Sequence, residues 1–220
     1  MKGIIVVDKP SGITSFDVVR SIRSRLRIKK VGHCGTLDPL ATGLLVILLG
    51  ESTKLFPKFS SFDKSYEATL QLGIITATGD CQGEVLEKRE IGDIPSDKLK
   101  EVFSEFEGDI TQEPPMFSAL KYHGKKLYEL ARLGIEVPRQ KRAVKIIELK
   151  LINFDFPYVS FYVNCSKGTY VRSLAHDIGM RLNCGATIVK IRRVSIGPFD
   201  IKEAVSLERV NESDIRSWPC

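Results

Sequence analysis

Apolar and polar residues follow one another along this chain in short blocks, and the block lengths predict strands interleaved with helices. Gly3 to Val7 reads as a short strand closed by the turn Asp8-Lys9-Pro10-Ser11-Gly12. Thr14 or Ser15 then caps a helix whose Val18, Val19, Ile22 and Leu26 share one face. Leu44 to Leu49 is an unbroken apolar run, which fits a fully buried strand or a short helix. Tyr66 to Gly73 alternates with a period of two, as a half-buried strand does. A polar loop over Thr76 to Gly83 leads to a strand near Glu84 to Arg89. Pro95-Ser96-Asp97 opens a helix carrying Leu99, Val102, Phe103 and Phe106, ended at Gly108. Pro114 and Pro115 forbid a regular element at their own positions, and Leu127, Leu130, Ala131 and Leu133 then mark one short helix stopped at Gly134. Val144 to Phe154 and Val159 to Cys165 pair through a turn at Asp155 to Tyr158. Thr169 to Leu182 is a second good helix, Ala186 to Val194 a final strand, and Val205 to Cys220 a short helix and a tail. No repeat or flexible linker divides the chain, so the pattern implies an α/β or α+β fold with a mixed sheet.

Length and composition narrow this. With 220 residues the chain fits one large domain, or one with a small appendage. A chain of this size buries about 70–75% of the surface exposed when unfolded and needs no covalent staples. Five cysteines (Cys34, Cys81, Cys165, Cys184, Cys220) without a C-x-x-C pair argue for a reducing compartment and against a zinc ribbon. The N-terminal apolar run is too short for a signal segment, and no run approaches the roughly 20 residues of a membrane span. A soluble cytoplasmic protein without membrane contact, and a monomer, is the expectation.

Charge adds a partner class. The formal net charge is +6, and it is clustered. Arg20, Arg23, Arg25, Arg27, Lys29 and Lys30 occur with no acid among them, and residues 121–150 hold nine bases against three acids. Such focused basic stretches are the footprint of a phosphate-rich partner, although a merely solvated lysine-rich surface has the same composition.

The densest chemistry lies in Gly32-His33-Cys34-Gly35-Thr36-Leu37-Asp38-Pro39-Leu40-Ala41-Thr42-Gly43, directly before the apolar run. A polar loop anchored on a buried element is how folds present a reactive group, which makes Asp38 the first candidate. Spacing alone equally describes a turn, because Asp before Pro is ordinary turn chemistry. Taken alone, His33 fits a hydrogen-bonded loop residue, Tyr66 strand packing, and Arg172 a surface charge.

Longer matches decide between these. Lys9-Pro10-Ser11-Gly12-Ile13-Thr14-Ser15, Val31 to Gly43, Pro114 to Lys121, Gly124 with Leu127 to Arg132, Cys165 to Leu174, Cys184-Gly185-Ala186 and Ile191-Arg192-Arg193 together resemble the bacterial tRNA pseudouridine synthase B (TruB) family. The resemblance runs from Gly3 to about Phe199 and implies the pseudouridine synthase fold: a mixed central β-sheet, flanking helices and an RNA-binding, thumb-like insertion. It implies a catalytic domain over residues 1–200, a basic insertion at about 111–143, and a short tail at 201–220 in place of a full C-terminal RNA-binding domain. At position 34 the family more often carries a small hydroxyl residue than cysteine.

The implied reaction converts the T-loop uridine at tRNA position 55 to pseudouridine. The N1–C1′ bond breaks, the uracil turns over, and C5 joins C1′, with no cofactor or metal required. A carboxylate suits this, as attacking group or as stabiliser of oxocarbenium character. By resemblance Asp38, Tyr66 and Arg172 are catalytic: Tyr66 lies against the flipped uracil and Arg172 keeps Asp38 ionised. His33 fills the vacated stack, Tyr170 packs under the base, and Lys9 supports the loop within the substrate-binding set. Lys125, Lys126 and Arg142 contact the T stem-loop of tRNA through the basic insertion. The alternatives are a non-catalytic tRNA-binding or folding module and a guide-RNA-dependent synthase. A Cys34 thiol nucleophile or a metal held by cysteine and histidine is a minor one.

Overall fold

The computed structural model describes residues 2–218 and is a mixed α+β structure. The chain begins with strand β1 (Gly3–Lys9), helix α1 (Ser15–Leu26), and strands β2 (Val31–Cys34) and β3 (Thr42–Leu49). Helix α2 (Phe56–Ser60), strand β4 (Lys64–Leu72) and the short pair β5 (Ile74–Thr76) and β6 (Val85–Lys88) come after these. Helix α3 (Ser96–Glu105), strand β7 (Gly108–Gln112), hairpin strands β8 (Lys121–Tyr122) and β9 (Lys125–Lys126), and helix α4 (Leu127–Arg132) come next. The chain then forms the long strands β10 (Arg142–Asp155) and β11 (Tyr158–Cys165), helix α5 (Val171–Arg181), and β12 (Ala186–Ile196). It closes with the two-residue strands β13 (Phe199–Asp200) and β14 (Val205–Ser206). Two compact units result: residues 1–67 with 190–220, and residues 68–189.

In the first unit the strand order is β14-β1-β3-β12, with β2 also on β3 and β13 on β12. β1 and β3 are antiparallel, Gly3 opposite Leu49 and Lys9 opposite Gly43, while β3 and β12 are parallel, so the sheet is mixed. Both faces of the β1–β3 pair are covered, which is why Leu44 to Leu49 is apolar at every position rather than at alternate ones. Ile5, Val7, Leu45, Ile47 and Leu49 pack on Val18, Val19, Ile22 and Leu26 of α1. Ile4, Val6, Leu44, Val46 and Leu48 pack on Phe59, Ile196 and Phe199 from the other side.

Helix α1 starts where its sequence says it should. Thr14 is extended at the N-cap, its hydroxyl accepts from the Asp17 amide, and Asp17 reaches back to the Thr14 amide at 2.9 Å. The first unit departs from expectation in residues 205–218, which form no α-helix. Their backbone makes β14 and two 3₁₀ turns at 207–209 and 212–214, and the Arg25 guanidinium takes the Glu208 and Val210 carbonyls. Val210 is buried and Val205, Leu207 and Ile215 pack on the same core, so tertiary contacts rather than helical propensity set this segment's conformation. Pro219 and Cys220 of the predicted tail lie outside the described residues.

In the second unit β4, β11, β10 and β7 lie side by side. β10 is antiparallel to both neighbours, with Arg142 opposite Gln112 and Asp155 opposite Tyr158. Leu99, Val102 and Phe103 of α3 and Leu174, Ala175 and Ile178 of α5 supply buried apolar faces, and the Phe103 and Phe161 rings meet edge-on at 5.9 Å. Helix α5 begins at Val171 rather than Thr169, because Tyr170 is extended and serves as its N-cap.

Ile22→Ala should cost about 2–5 kcal/mol in urea unfolding, because α1 is held by its buried stripe. Ser24→Ala, on the exposed side of the same helix, should stay within about 0.5 kcal/mol.

Candidate active site

The loop between β2 and β3 carries Asp38, and hydrogen bonds tie its backbone at several points. The Asp38 carbonyl accepts from the Ala41 amide at 3.0 Å, closing a four-residue turn with Pro39 in its second position. The turn chemistry of the sequence is therefore real. Ser15, at the start of α1, brackets Leu37: its hydroxyl accepts from the Leu37 amide at 2.8 Å and lies 3.1 Å from the Leu37 carbonyl. The Gly12 amide donates to the Pro39 carbonyl at 2.9 Å, and the Ser11 hydroxyl to the Leu40 carbonyl at 3.1 Å.

Two buried cations complete the frame. Lys9, fully buried at the end of β1, donates from Nζ to the carbonyls of Pro10 (2.8 Å), Ile13 (2.7 Å) and Pro39 (3.4 Å). Its ammonium is thus committed to the loop backbone. Arg193 of β12 is 1% exposed. It donates from Nη2 to the Gly35 carbonyl at 3.0 Å and from Nε to the Leu44 carbonyl at 2.7 Å, so one guanidinium grips both ends of the Asp38 loop. Its close approach to β3 requires glycine at position 43, where φ is +100° and an added Cβ would lie 2.3 Å from the Arg193 carbonyl oxygen.

These cations set the local electrostatics. Burial lowers the Lys9 pKa to about 8; the negative charge of Asp38 opposes that fall and Arg193 adds to it. His33 is half-buried in β2, and burial together with Arg193 lowers its pKa, so its imidazole is neutral at pH 7. The buried His33 Nδ1 has no hydrogen-bond partner. Cys34 is buried, and desolvation pushes its thiol up to about 12 despite Lys64 and Arg193. A protonated, enclosed thiol is no nucleophile, which removes the Cys34 alternative. Among the described residues no His, Cys, Asp and Glu side chains are grouped to hold a metal ion. Tyr66 is 8% exposed on β4 and shares a strand face with Lys64, whose stem would lie 3.4 Å from a Cβ at Gly35.

The second unit holds the other predicted residues. Arg172, 5% exposed in the first turn of α5, donates to the Thr78 carbonyl and, at 2.8 Å, to the Phe117 carbonyl. Tyr170 is held by Gln112: its amide donates to Oε1 at 3.0 Å and its carbonyl accepts from Nε2 at 3.3 Å. The Arg142 guanidinium lies over the Tyr170 ring, 4.7 Å from its centroid. Lys125 and Lys126 are separate from Arg142. They sit on the β8–β9 hairpin, whose two-residue turn has positive φ at both His123 (46°) and Gly124 (84°). Lys125 is exposed, and Lys126 reaches the Tyr128 hydroxyl at 3.2 Å.

Residues 23–171 match the model for the TruB family pseudouridylate synthase N-terminal domain, and residues 172–216 that for the tRNA pseudouridylate synthase B C-terminal domain. The chain belongs to the TruB family. It is 48% identical over 218 residues to tRNA pseudouridine synthase B of Clostridium tetani, covering 99% of this chain and 75% of that one. Its identity to the protein of the same name from Endomicrobium trichonymphae is 48% over 212 residues, covering 96% and 92%. A chain in the crystal structure of a Cbf5-Nop10-Gar1 complex superposes with a TM-score of 0.74 at 33% identity, covering 94% of this chain and 52% of that one. This TruB-family chain therefore spans about half the length of that solved chain, and the expected α+β fold with a mixed central sheet holds.

Sequence reasoning missed Arg193, which frames the Asp38 loop in the first unit, and Gln112, which holds Tyr170 in the second. Arg193 was visible only as part of the Ile191-Arg192-Arg193 match, and nothing local distinguishes it from Arg192, which instead pairs with Asp8 at 2.6 Å in a half-exposed bridge.

In a ¹³Cε NMR titration Lys9 should titrate near pH 8, and lower still in Asp38→Asn, because the charge of Asp38 holds it up. Between about pH 8 and 10.5 the unfolded chain keeps this proton and the folded chain does not, so Lys9 should make stability rise with pH there. Arg193→Met should lose several kcal/mol in urea unfolding, from about 1–3 kcal/mol for each buried carbonyl left without a donor.

Proposed function

We propose that this TruB-family chain isomerises uridine 55 in the T-loop of tRNA to pseudouridine, with Asp38 as the catalytic carboxylate. The observation that carries the proposal is the Asp38 turn clamped between Lys9, Ser15 and Arg193. A carboxylate that must meet a sugar carbon within a few tenths of an ångström needs a frame of this kind. Relatives named tRNA pseudouridine synthase B, 48% identical over nearly the whole chain, support tRNA as the substrate. They favour it over the guide-dependent alternative.

In this scheme the target uridine is flipped from its stack at a cost of a few kcal/mol. The neutral imidazole of His33 suits the vacated position, since an uncharged ring stacks without desolvating a charge. Asp38 then acts at the glycosidic bond. Covalent attack and charge stabilisation both require it ionised, the role proposed for Arg172. Tyr66 takes the place against the uracil and Tyr170 the place beneath it. N1–C1′ cleavage, rotation of the ring and C5–C1′ formation leave atoms and oxidation state unchanged. At the end C5 gives up its proton and the freed N1 takes one up, and Tyr66 is assigned the transfer from C5. Lys125, Lys126 and Arg142 of the basic insertion contact the T stem-loop.

Incubation with an unmodified T-stem-loop RNA, read by carbodiimide-dependent primer-extension stops, tests the scheme. Stops at the T-loop uridine are expected for the native chain and none for Asp38→Asn, which should still bind RNA. Turnover by Asp38→Asn would sink the assignment, and binding without product in the native chain would favour a non-catalytic module. Lys125→Gln with Lys126→Gln should lower the slope of log K against log salt by about 1–2. An unchanged slope would remove the hairpin from the RNA interface.

A further inference from the structure

The basic stretch after residue 18 is not used by the scheme above, and its geometry is specific. Phe16, Arg20, Arg23 and Arg27 succeed one another at spacings of four, three and four residues, so they form one stripe along α1 and its C-cap. The stripe runs about 16 Å at 1.5 Å per residue. All four residues are exposed, and Phe16 leaves 55% of its surface to solvent. The Arg20 guanidinium sits 5.6 Å from the Phe16 ring centroid. The only acid along the helix is Asp17, 3.4 Å from Arg20 in an exposed pair of the kind that contributes little. Lys29, also exposed, continues the positive charge beyond the cap.

Helix stabilisation does not account for this arrangement. Cations in a last turn favour the helix dipole, but Arg20 lies in the middle of α1. Arg25, by contrast, has a structural task, because it holds the Glu208 and Val210 carbonyls and lies off the stripe. The stripe begins one residue after Ser15, which is hydrogen-bonded to Leu37 next to the candidate catalytic aspartate. A row of guanidinium groups with an aromatic ring at its head is the composition that binds single-stranded nucleic acid: phosphates along the cations, a base on the ring.

We propose that this face of α1 is a second RNA-binding track. Arg20, Arg23 and Arg27 hold phosphates of the strand flanking the target nucleotide, and Phe16 stacks one unpaired base of it. The inference rests on the TruB-family reading of the Asp38 loop, which brings RNA to the start of the helix.

The test is binding of an unmodified tRNA transcript to the full chain from 50 to 300 mM salt. Arg20→Gln, Arg23→Gln and Arg27→Gln together should reduce the log–log salt slope by about 2, at roughly 0.7–0.9 per phosphate contact. Lysine at the same three positions should keep the slope. Phe16→Ala should weaken binding about tenfold at every salt concentration and leave the slope alone. A control removes the same charge elsewhere, with Lys88→Gln, Lys98→Gln and Lys100→Gln on exposed positions of the second unit. An unchanged slope in the arginine triple variant, or an equal fall in the lysine control, overturns the track. So does loss of binding to phosphatidylserine vesicles in the triple variant with RNA binding intact, which would assign the stripe to an anionic membrane. Failure of the catalytic reading looks different: the native chain then forms no pseudouridine, whatever the slopes are.

Discussion

A guanidinium sealed inside a protein has to satisfy its donors there, because removing it from water costs several kcal/mol. Arg193 does so with the Gly35 and Leu44 carbonyls, and the geometry around the candidate site is a result of that choice. The two carbonyls lie at opposite ends of the Asp38 loop, so satisfying one side chain fixes the separation of the loop's ends. β12 must then run parallel to β3 with Arg193 opposite Gly43, and position 43 must lack a Cβ. The same charge is felt by Lys9, His33 and Cys34, and it lowers the pKa of each, although burial outweighs it at the thiol. One residue is therefore both a mechanical clamp and a charge that Lys9, His33 and Cys34 all feel.

The clamp works because the strands it joins are rigid. β1 and β3 are buried on both faces, and a strand so enclosed has little freedom to shift or slip register. Lys9 ends one of these strands, directly opposite Gly43, the second residue of the other. The loop thus rises from the edge of the best-packed part of the unit, and its irregular backbone inherits that order through its hydrogen bonds.

Much of the fold could be read from the sequence, and the pattern of success is physical. Leu44 to Leu49, apolar throughout, was legible as a buried element that fits a strand or a short helix, while the capped helix from Ser15 and the paired strands of 144–154 and 159–165 were legible because each writes its own periodicity. β2 was not, since Val31 to Cys34 contains a glycine and a histidine and is a strand only through pairing with β3. The helix expected after Val205 failed for the same reason, because tertiary hydrogen bonds from Arg25 overrode a weak local preference. At the site, Asp38 stood out through its turn chemistry and its family match. Arg193 did not, because burial of an arginine is a property of the assembled sheet and leaves no mark on the neighbouring residues. Gln112 was silent for a similar reason, as its partner Tyr170 lies far along the chain.

That Gln112–Tyr170 contact bears on how the basic insertion is mounted. Gln112 is the last residue before the excursion, Arg142 the first strand residue after it, and the two face each other across β7 and β10. Gln112 holds the Tyr170 backbone and Arg142 lies over its ring. The excursion thus has no free root: both feet of the lever stand on one tyrosine, which is its fulcrum. The two ends of the excursion that carries Lys125 and Lys126 therefore share one anchor, the backbone and ring of Tyr170.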